Sequence, residues 1–336
     1  MKLTIEKLKN KENLGREEIE KVMHAIMSGG LSEKQIEEFL LALRAKGATV
    51  DEITGAAKIM RAFVIGIKTK HKKILDTCGT GGDKKNTFNI STLVAIVVAG
   101  AGVAVAKHGN RSVSSKCGSA DILEGLGVNL NLEQQQLSAC LDEVGIAFLF
   151  AQNLHPAMKN VAAIRKKLGV ETIFNILGPL TNPAQTTHQM MGVYSRELVE
   201  PMAQVLKNLG LKRAIVVHGS DGLDEITTTA KTFISEYNGK EIISYDISPD
   251  ELWLSPAKIR NLEGGDIRMN TLIFKDILNG NTGPKRDIVV LNAAYALYVA
   301  EHVKSISQGL DVAKETIDSG KALKKLDELV SFTQKF

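Results

Sequence analysis

The sequence predicts an α/β protein with a small all-helical N-terminal domain and a larger domain whose mostly parallel central sheet is covered by helices. Three observations carry this. Residues 1 to about 70 place their apolar side chains at helical spacing throughout. From Lys72 onward, short apolar runs alternate with helical stretches, the pattern of an α/β layer fold. Polar segments at 76–83, 107–119, 153–155 and 218–225 each follow a predicted strand. In an open α/β sheet the ligand crevice lies beyond the carboxyl ends of the strands, so these four segments are expected to converge on one site.

In the N-terminal part, Arg16 to Met27 is amphipathic through Ile19, Val22, Met23 and Ile26. Ser32 and Gln35 form a capping box that opens a helix from Glu33 to Lys46. Thr49 and Glu52 repeat the device for a helix reaching through Ile59, Phe63 and Ile67. The apolar stripes of this module need a partner surface, either the rest of the chain or a second copy.

In the second part, Ile74 and Leu75 are predicted to end a strand, and Leu93 to Ala99 to form a buried helix. A strand at 103–106 leads into the polar run from Lys107 to Arg111, and helices follow at 120–125 and 133–144. The run 146–151 has no polar residue, as expected for a parallel strand covered on both faces. A helix is expected over 156–168, then a mixed segment with two prolines at 171–183 that crosses back to the helical module. Strands are expected at 190–194 and 214–218. Runs 233–237 and 241–245, joined by Asn238-Gly239, read as an edge hairpin. Residues 267–278, 288–302 and the last stretch read as helices. The domains expected are 1–70 with the returning segment about 171–188, and 72–170 with 189–336.

Composition narrows the class. The 336 residues are 44% apolar and 24% charged, with a net charge of +4 that suits anionic small molecules. No Lys/Arg block is long enough to make nucleic acid an expected partner. Cys78, Cys117 and Cys140 have neither paired nor metal-type spacing, which points to a reducing, cytoplasmic compartment. The N-terminus lacks the apolar core of a signal peptide. No run approaches the roughly 20 apolar residues of a membrane span. A soluble protein without membrane contact is expected.

The chemistry is concentrated in 76–92, DTCGTGGDKKNTFNIST. Strand, glycine loop and helix start is the arrangement that points backbone N–H groups at an anion. The glycines Gly79, Gly81 and Gly82 permit close approach and positive φ, and Asn89, Ser91 and Thr92 add side-chain donors. The glycines alone are equally compatible with a tight turn. The run from Lys107 to Ser119 adds Lys107 as a point charge, Arg111 as a planar fork, and the hydroxyls of Ser114, Ser115 and Ser119. Asp224 and Glu225 are adjacent carboxylates after a strand. Isolated they read as surface charge; beside a polyphosphate they are the hard oxygen ligands that Mg²⁺ takes, with Asp83 suited to either role. Arg165, on the helix after His155-Pro156, can pair with a substrate carboxylate. Cys78 and Trp253 read as packing residues.

Taken together, DTCGTGGD with TFNIST, KHGNRSVSSKCGSAD, FLFAQNLHPAMKNV, FNILGPLTNPA, HGSDGLDE and the later GGD to NAAYALY resemble the anthranilate phosphoribosyltransferase family along essentially the whole chain. The resemblance implies transfer of the 5-phosphoribosyl group from phosphoribosyl pyrophosphate to anthranilate, the second step of tryptophan biosynthesis from chorismate. It also implies a homodimer formed through the helical parts. Phosphoribosyl pyrophosphate would then meet Gly79, Gly82, Asp83, Thr87, Asn89, Ile90, Ser91, Thr92, Lys107, His108, Gly109, Asn110, Arg111, Ser112, Val113, Ser114, Ser115 and Ser119. Anthranilate would meet Gly79, Asn110, His155, Arg165 and Gly178, and Mg²⁺ would be held by Ser91, Asp224 and Glu225.

The chain departs from the family pattern at Lys84 (usually Gly), Gln152 (commonly Pro) and Glu171 (usually Arg). Pyrophosphate leaves as a stable anion and the attacking amine is neutral at pH 7. No catalytic acid–base pair is therefore required, and Lys107, Asn110 and Arg165 contribute through positioning and charge. Two rivals share the fold: a pyrimidine nucleoside phosphorylase, which needs no Asp-Glu metal pair, and a nucleic-acid-binding relative, which would be expected to lack GTGGD or that pair.

Overall fold

The computed structural model describes residues 1–112, 116–252 and 257–336. Val113, Ser114, Ser115 and Trp253 of the sequence reading lie outside the described residues.

Four helices open the chain: α1 (Lys2–Lys9), α2 (Arg16–Met27), α3 (Glu33–Lys46) and α4 (Val50–Ala62). Their starts are set by reciprocal caps. Ser32 Oγ accepts from Gln35 N–H at 3.4 Å while Gln35 Oε1 accepts from Ser32 N–H at 3.0 Å. Thr49 and Glu52 do the same at 3.3 and 2.7 Å. Glu52 is fully buried, and it also accepts from Leu14 N–H at 2.8 Å and pairs with Lys46 at 2.8 Å. One buried carboxylate thereby ties the starts of α2 and α4 to the end of α3.

The α/β part runs β1 (Leu75–Gly79), α5 (Ile90–Gly100), β2 (Val105–Gly109), α6 (Ser119–Gly125), α7 (Gln134–Val144), β3 (Ile146–Phe150), α8 (Ala151–Leu154), α9 (Lys159–Leu168) and α10 (Phe174–Leu177). It continues with β4 (His188–Gly192), α11 (Val199–Asn208), β5 (Arg213–Gly219), β6 (Thr232–Tyr237), β7 (Ile242–Ile247), α12 (Ile267–Leu278), α13 (Pro284–Val299), α14 (Ile306–Asp318) and α15 (Lys321–Thr333). The sheet order is β3-β2-β1-β4-β5-β6-β7; β1 to β5 pair in parallel, and β6 and β7 form the antiparallel edge. The chain leaves β1 for β2 on one side and returns as β4 on the other. The β1/β4 boundary is thus the switch point where α/β sheets bind ligands.

Alternation sorts the strands onto two cores. Met190, Ile215 and Val217 face a core shared with α5 and α13. Met191, Ala214 and Val216 face a second core that includes the N-terminal helices together with Ile173, Phe174, Ile176, Leu177 and Leu180. No helix among the described residues is long and apolar enough to cross a membrane.

Several expected boundaries move. β1 does not end at Leu75 but runs on to Gly79, and β2 runs to Gly109 instead of stopping at 106. Each is extended by register with its neighbours, Gly79 opposite Gly192 and Gly109 opposite Phe150. Asp76, Lys107 and His108 are therefore strand residues and buried, where a polar loop was expected. β3 ends at Phe150 and β4 spans 188–192 instead of 190–194. α4 stops at Ala62, and Ile67 packs in the core around α5. α13 starts earlier than expected, at Pro284, whose fixed φ suits the first helical turn.

Candidate active site

The switch point is built from absent side chains. Gly79 and Gly192 end β1 and β4 side by side, and the loop after β5 passes over both. A Cβ at Gly192 would stand 3.2 Å from Asp224 Cα and would overlap its carbonyl. A Cβ at Gly79 would stand 3.2 Å from Asp224 Cγ and would overlap Oδ2. These two glycines let the carboxylate pair settle against the strand ends. Gly81 and Gly82 then turn the chain at φ 64° and 83°, in the left-handed region. Lys84 holds φ 59°, a conformation glycine adopts at no steric cost.

The carboxylates are anchored from the glycine loop and the start of α5. Asp224 Oδ2 accepts from Gly81 N–H at 2.9 Å, and Glu225 Oε1 accepts from Ser91 N–H at 3.2 Å. Glu225 thus already occupies one donor of the helix start. Lys107, buried on β2, donates to Thr77 O and reaches Ser91 Oγ at 3.4 Å. Thr92 Oγ1 is buried and has no hydrogen-bond partner among the described residues.

Charge is out of balance here. Burial, with Asp83 nearby, pushes the Asp224 carboxyl up to about 6, and burial beside Asp224 pushes Glu225 well above the usual range. Burial also raises Asp83, and raises Asp76 to about 6. Lys107 lies close to Asp76, Asp224 and Glu225, and Lys85 close to Asp83; burial lowers the pKa of Lys107. Surplus negative charge on hard oxygen atoms fits a divalent cation. No group of three His, Cys, Asp or Glu side chains with metal-holding geometry exists among the described residues. Mg²⁺ takes one or two carboxylates and fills its sphere with phosphate and water, so the Asp224–Glu225 pair suits it.

A second cluster lies across β2 from the first, because His108 follows Lys107 and successive side chains of a strand point to opposite faces. His108 and His155 share a hydrogen bond at 3.0 Å between their Nε2 atoms, so one ring donates and the other accepts. Burial lowers them to about 3 and about 4, so both are neutral at pH 7. His108 also hydrogen-bonds the Gly178 backbone. Asn110 follows at the end of β2. Its Oδ1 accepts from Arg111 N–H at 2.8 Å and Gln152 Nε2 at 3.2 Å, and its carbonyl accepts from Ser119 Oγ at 3.2 Å. His155, Gly178 and Asn110 are thus brought together, with the departure residue Gln152 touching Asn110.

Arg165 stands apart, on α9, with its guanidinium 5.6 Å from the Phe174 ring centroid. It is half-buried, which lowers its pKa, and no salt bridge engages it among the described residues.

Other expected residues are committed within the protein. Arg111 is salt-bridged to Asp121 at 2.9 Å and Glu124 at 2.8 Å, and Asp121 also accepts from Ser112 N–H and Gly118 N–H. Asn89 donates to Cys117 O and accepts from Asn270 Nδ2, both at 3.0 Å, so its amide ties loops together. Thr87 bridges to Glu263 in the chain beyond β7. The sequence reading did not single out Asn182, which is buried and donates at 2.8 Å to both Asp76 Oδ2 and Ala106 O. It stitches the segment before β4 to β1 and β2. Its one sequence signal is a place inside FNILGPLTNPA.

Comparison with known proteins places the whole chain in one family. The family described as glycosyl transferase family, helical bundle domain, matches residues 2–64, and its a/b domain counterpart matches residues 71–323. The chain is 52% identical to the anthranilate phosphoribosyltransferase of Petrotoga mobilis, over 98% of this chain and 96% of that one. It is 53% identical to that of Acetivibrio thermocellus, over 100% and 97%. The anthranilate phosphoribosyltransferase structure from Thermus thermophilus superposes with TM-score 0.93 at 40% identity, covering 98% of this chain and 99% of that one. The Saccharomyces cerevisiae enzyme in complex with PRPP and Mg superposes with TM-score 0.89 at 27% identity, over 96% and 94%.

Proposed function

The chain belongs to the anthranilate phosphoribosyltransferase family, and from that premise we propose how its residues carry out the family's reaction. It transfers the 5-phosphoribosyl group from phosphoribosyl pyrophosphate to the amine of anthranilate and releases pyrophosphate, the second step of tryptophan biosynthesis from chorismate. The observation that supports the site reading best is the anchored Asp224–Glu225 pair beside the glycine loop at the switch point.

Mg²⁺ would be held by Asp224, Glu225 and Ser91, and when bound it supplies positive charge to the pyrophosphate as negative charge develops there. The protein's own part is positioning. The N–H groups of Thr80 and Gly81 already donate to Gly192 O and Asp224, and those of the glycine loop beyond them donate to phosphate oxygens. Asn110 has its Oδ1 occupied by two donors, which leaves Nδ2 to donate to a substrate oxygen. Arg165, without an internal anion, takes the anthranilate carboxylate. The neutral His108–His155 pair offers a wall without charge for the aryl ring, and at pH 7 it does not protonate the attacking amine. The amine's lone pair forms the C–N bond as the C–O bond to pyrophosphate breaks, and the amine proton is lost afterward to solvent.

The helical module, 1–70 with 171–188, is assigned the dimer contact, supported by Leu3 and Leu41, which leave exposed apolar surface there. The buried thiols of Cys78, Cys117 and Cys140 fit a reducing cytoplasm. Loss of anthranilate fluorescence on adding phosphoribosyl pyrophosphate and Mg²⁺ tests the reading. Folded protein that produces no loss, yet shifts DNA in a salt-dependent way, would replace it with a nucleic-acid-binding one.

A further inference from the structure

Asn292 lies in the middle of α13, a polar residue in the apolar run 288–297, and it is fully buried. A buried amide is costly unless its hydrogen bonds are made. This one makes them largely with a single residue of another segment. Oδ1 accepts from Ile226 N–H at 3.0 Å, while Nδ2 donates to Ile226 O and to Ile288 O, each at 2.8 Å. Ile226 lies outside any strand or helix, so no ladder would otherwise pair its buried backbone. The side chain acts on it as a neighbouring strand would.

Ile226 N–H belongs to the peptide plane that begins at Glu225. Fixing that plane fixes the direction in which the Glu225 side chain leaves the backbone. Glu225 and Asn292 also line one cavity of about 10 Å³, together with Ser91 and Gly192, so Asn292 stands beside the Glu225 member of the carboxylate pair. We infer that Asn292 is the positioning residue of the metal site, holding the Asp224–Glu225 turn from behind while Gly81 and Ser91 hold the carboxylate oxygens from the front. This rests on the reading of Asp224 and Glu225 as metal ligands.

The test uses the full chain with Mn²⁺ as the metal and inorganic pyrophosphate as the companion ligand, with binding read by electron paramagnetic resonance. Asn292→Leu keeps the volume and removes every hydrogen bond. Ala293→Gly, the next residue on α13, weakens the helix by about 1 kcal/mol without touching Ile226. The expected result is a Mn²⁺ Kd raised at least tenfold in Asn292→Leu and within twofold of wild type in Ala293→Gly, with both variants melting earlier. A Kd within twofold in Asn292→Leu would overturn the inference.

Asp224→Asn separates the layers. If it binds Mn²⁺ as wild type does, the metal assignment fails and this inference goes with it. If it loses Mn²⁺ while Asn292→Leu does not, only the clamp fails. Should Asn292→Leu not fold, hydrogen exchange in the wild type decides. The Ile226 amide should be protected as well as amides of β5, and exchange as fast as at Gly82 would overturn the clamp.

Discussion

Replacing Gly79 by alanine tests the construction of the site without removing a functional group. The added Cβ would stand 3.2 Å from Asp224 Cγ and overlap Oδ2. The Asp224 backbone cannot retreat, because it already lies against Gly192. The side chain must rotate instead, and the 2.9 Å bond from Gly81 N–H to Oδ2 is lost. A hydrogen bond to a charged group contributes about 1.5–3 kcal/mol. At 1.4 kcal/mol per tenfold, that predicts a rise of roughly 10- to 150-fold in the Mg²⁺ concentration for half-maximal turnover. Crowding adds a stability loss of about 1–3 kcal/mol. The assay is a magnesium titration of anthranilate fluorescence loss at saturating phosphoribosyl pyrophosphate. Gly79 also neighbours both expected substrate positions, so the magnitude alone does not assign the cause. A double-mutant cycle with Asp224→Ala does, because once the carboxylate is gone the Gly79→Ala penalty on metal dependence should vanish. An unchanged magnesium requirement, or penalties that simply add, would refute the reasoning.

Arg165→Ala should raise the anthranilate KM by about 10- to 100-fold, the range for a charged hydrogen bond to a carboxylate; a change confined to the KM of the phosphoribosyl donor would refute its assignment. Lys84→Gly should raise the stability of the folded chain by about 0.5–1 kcal/mol. Relief of roughly 1–2 kcal/mol of left-handed strain is partly offset by the greater entropy of glycine in the unfolded chain. A lower melting temperature would contradict this. His155, held near 4 by burial, is depressed below its usual 6.5, so the stability it contributes is present above pH 6.5 and lost as pH falls toward 4. His155→Gln should therefore flatten the fall in stability over that window by up to about 3 kcal/mol, measured by denaturant melts at stepped pH. An unaltered pH profile would mean that the ring is not buried as a neutral pair.

The layer fold and the gathering of polar segments at strand ends were legible because both depend on local pattern. Apolar spacing, capping residues and glycines sit within a few positions of one another. The same locality explains what was hidden. Asp76, Lys107 and His108 read as loop residues because they are polar, yet register against β4 and β3 extends their strands and buries them. Arg111 read as a planar fork for an anion. Its partners Asp121 and Glu124 lie on α6, and the close approach depends on Gly118, where a Cβ would stand 2.7 Å from the Arg111 carbonyl carbon. Asn89 read as a phosphate donor; its Nδ2 donates to Cys117 O and its Oδ1 accepts from Asn270, more than half the chain away in sequence, a tie that local pattern does not reveal.

The glycine loop is thus held by residues from the other half of the chain. The glycine loop carries positive φ at Gly81, Gly82, Lys84 and Asn86, a conformation that needs support from outside. That support is visible. Gly264 N–H donates to Asn86 O at 2.9 Å, Phe88 N–H donates to Leu262 O at 3.3 Å, and Asn270 reaches both Asn89 and Gly265 N–H. Gly264 has no room for a Cβ, which would stand 2.7 Å from the Phe88 backbone. The GGD stretch therefore matters for close approach to the glycine loop, and NAAYALY for the amide behind the carboxylates. Neither contains an expected ligand, which is why residue chemistry alone passed over them. Buried asparagines suit this task because one amide both donates and accepts, so it can pair a strand-free backbone and remain neutral beside carboxylates that burial already strains.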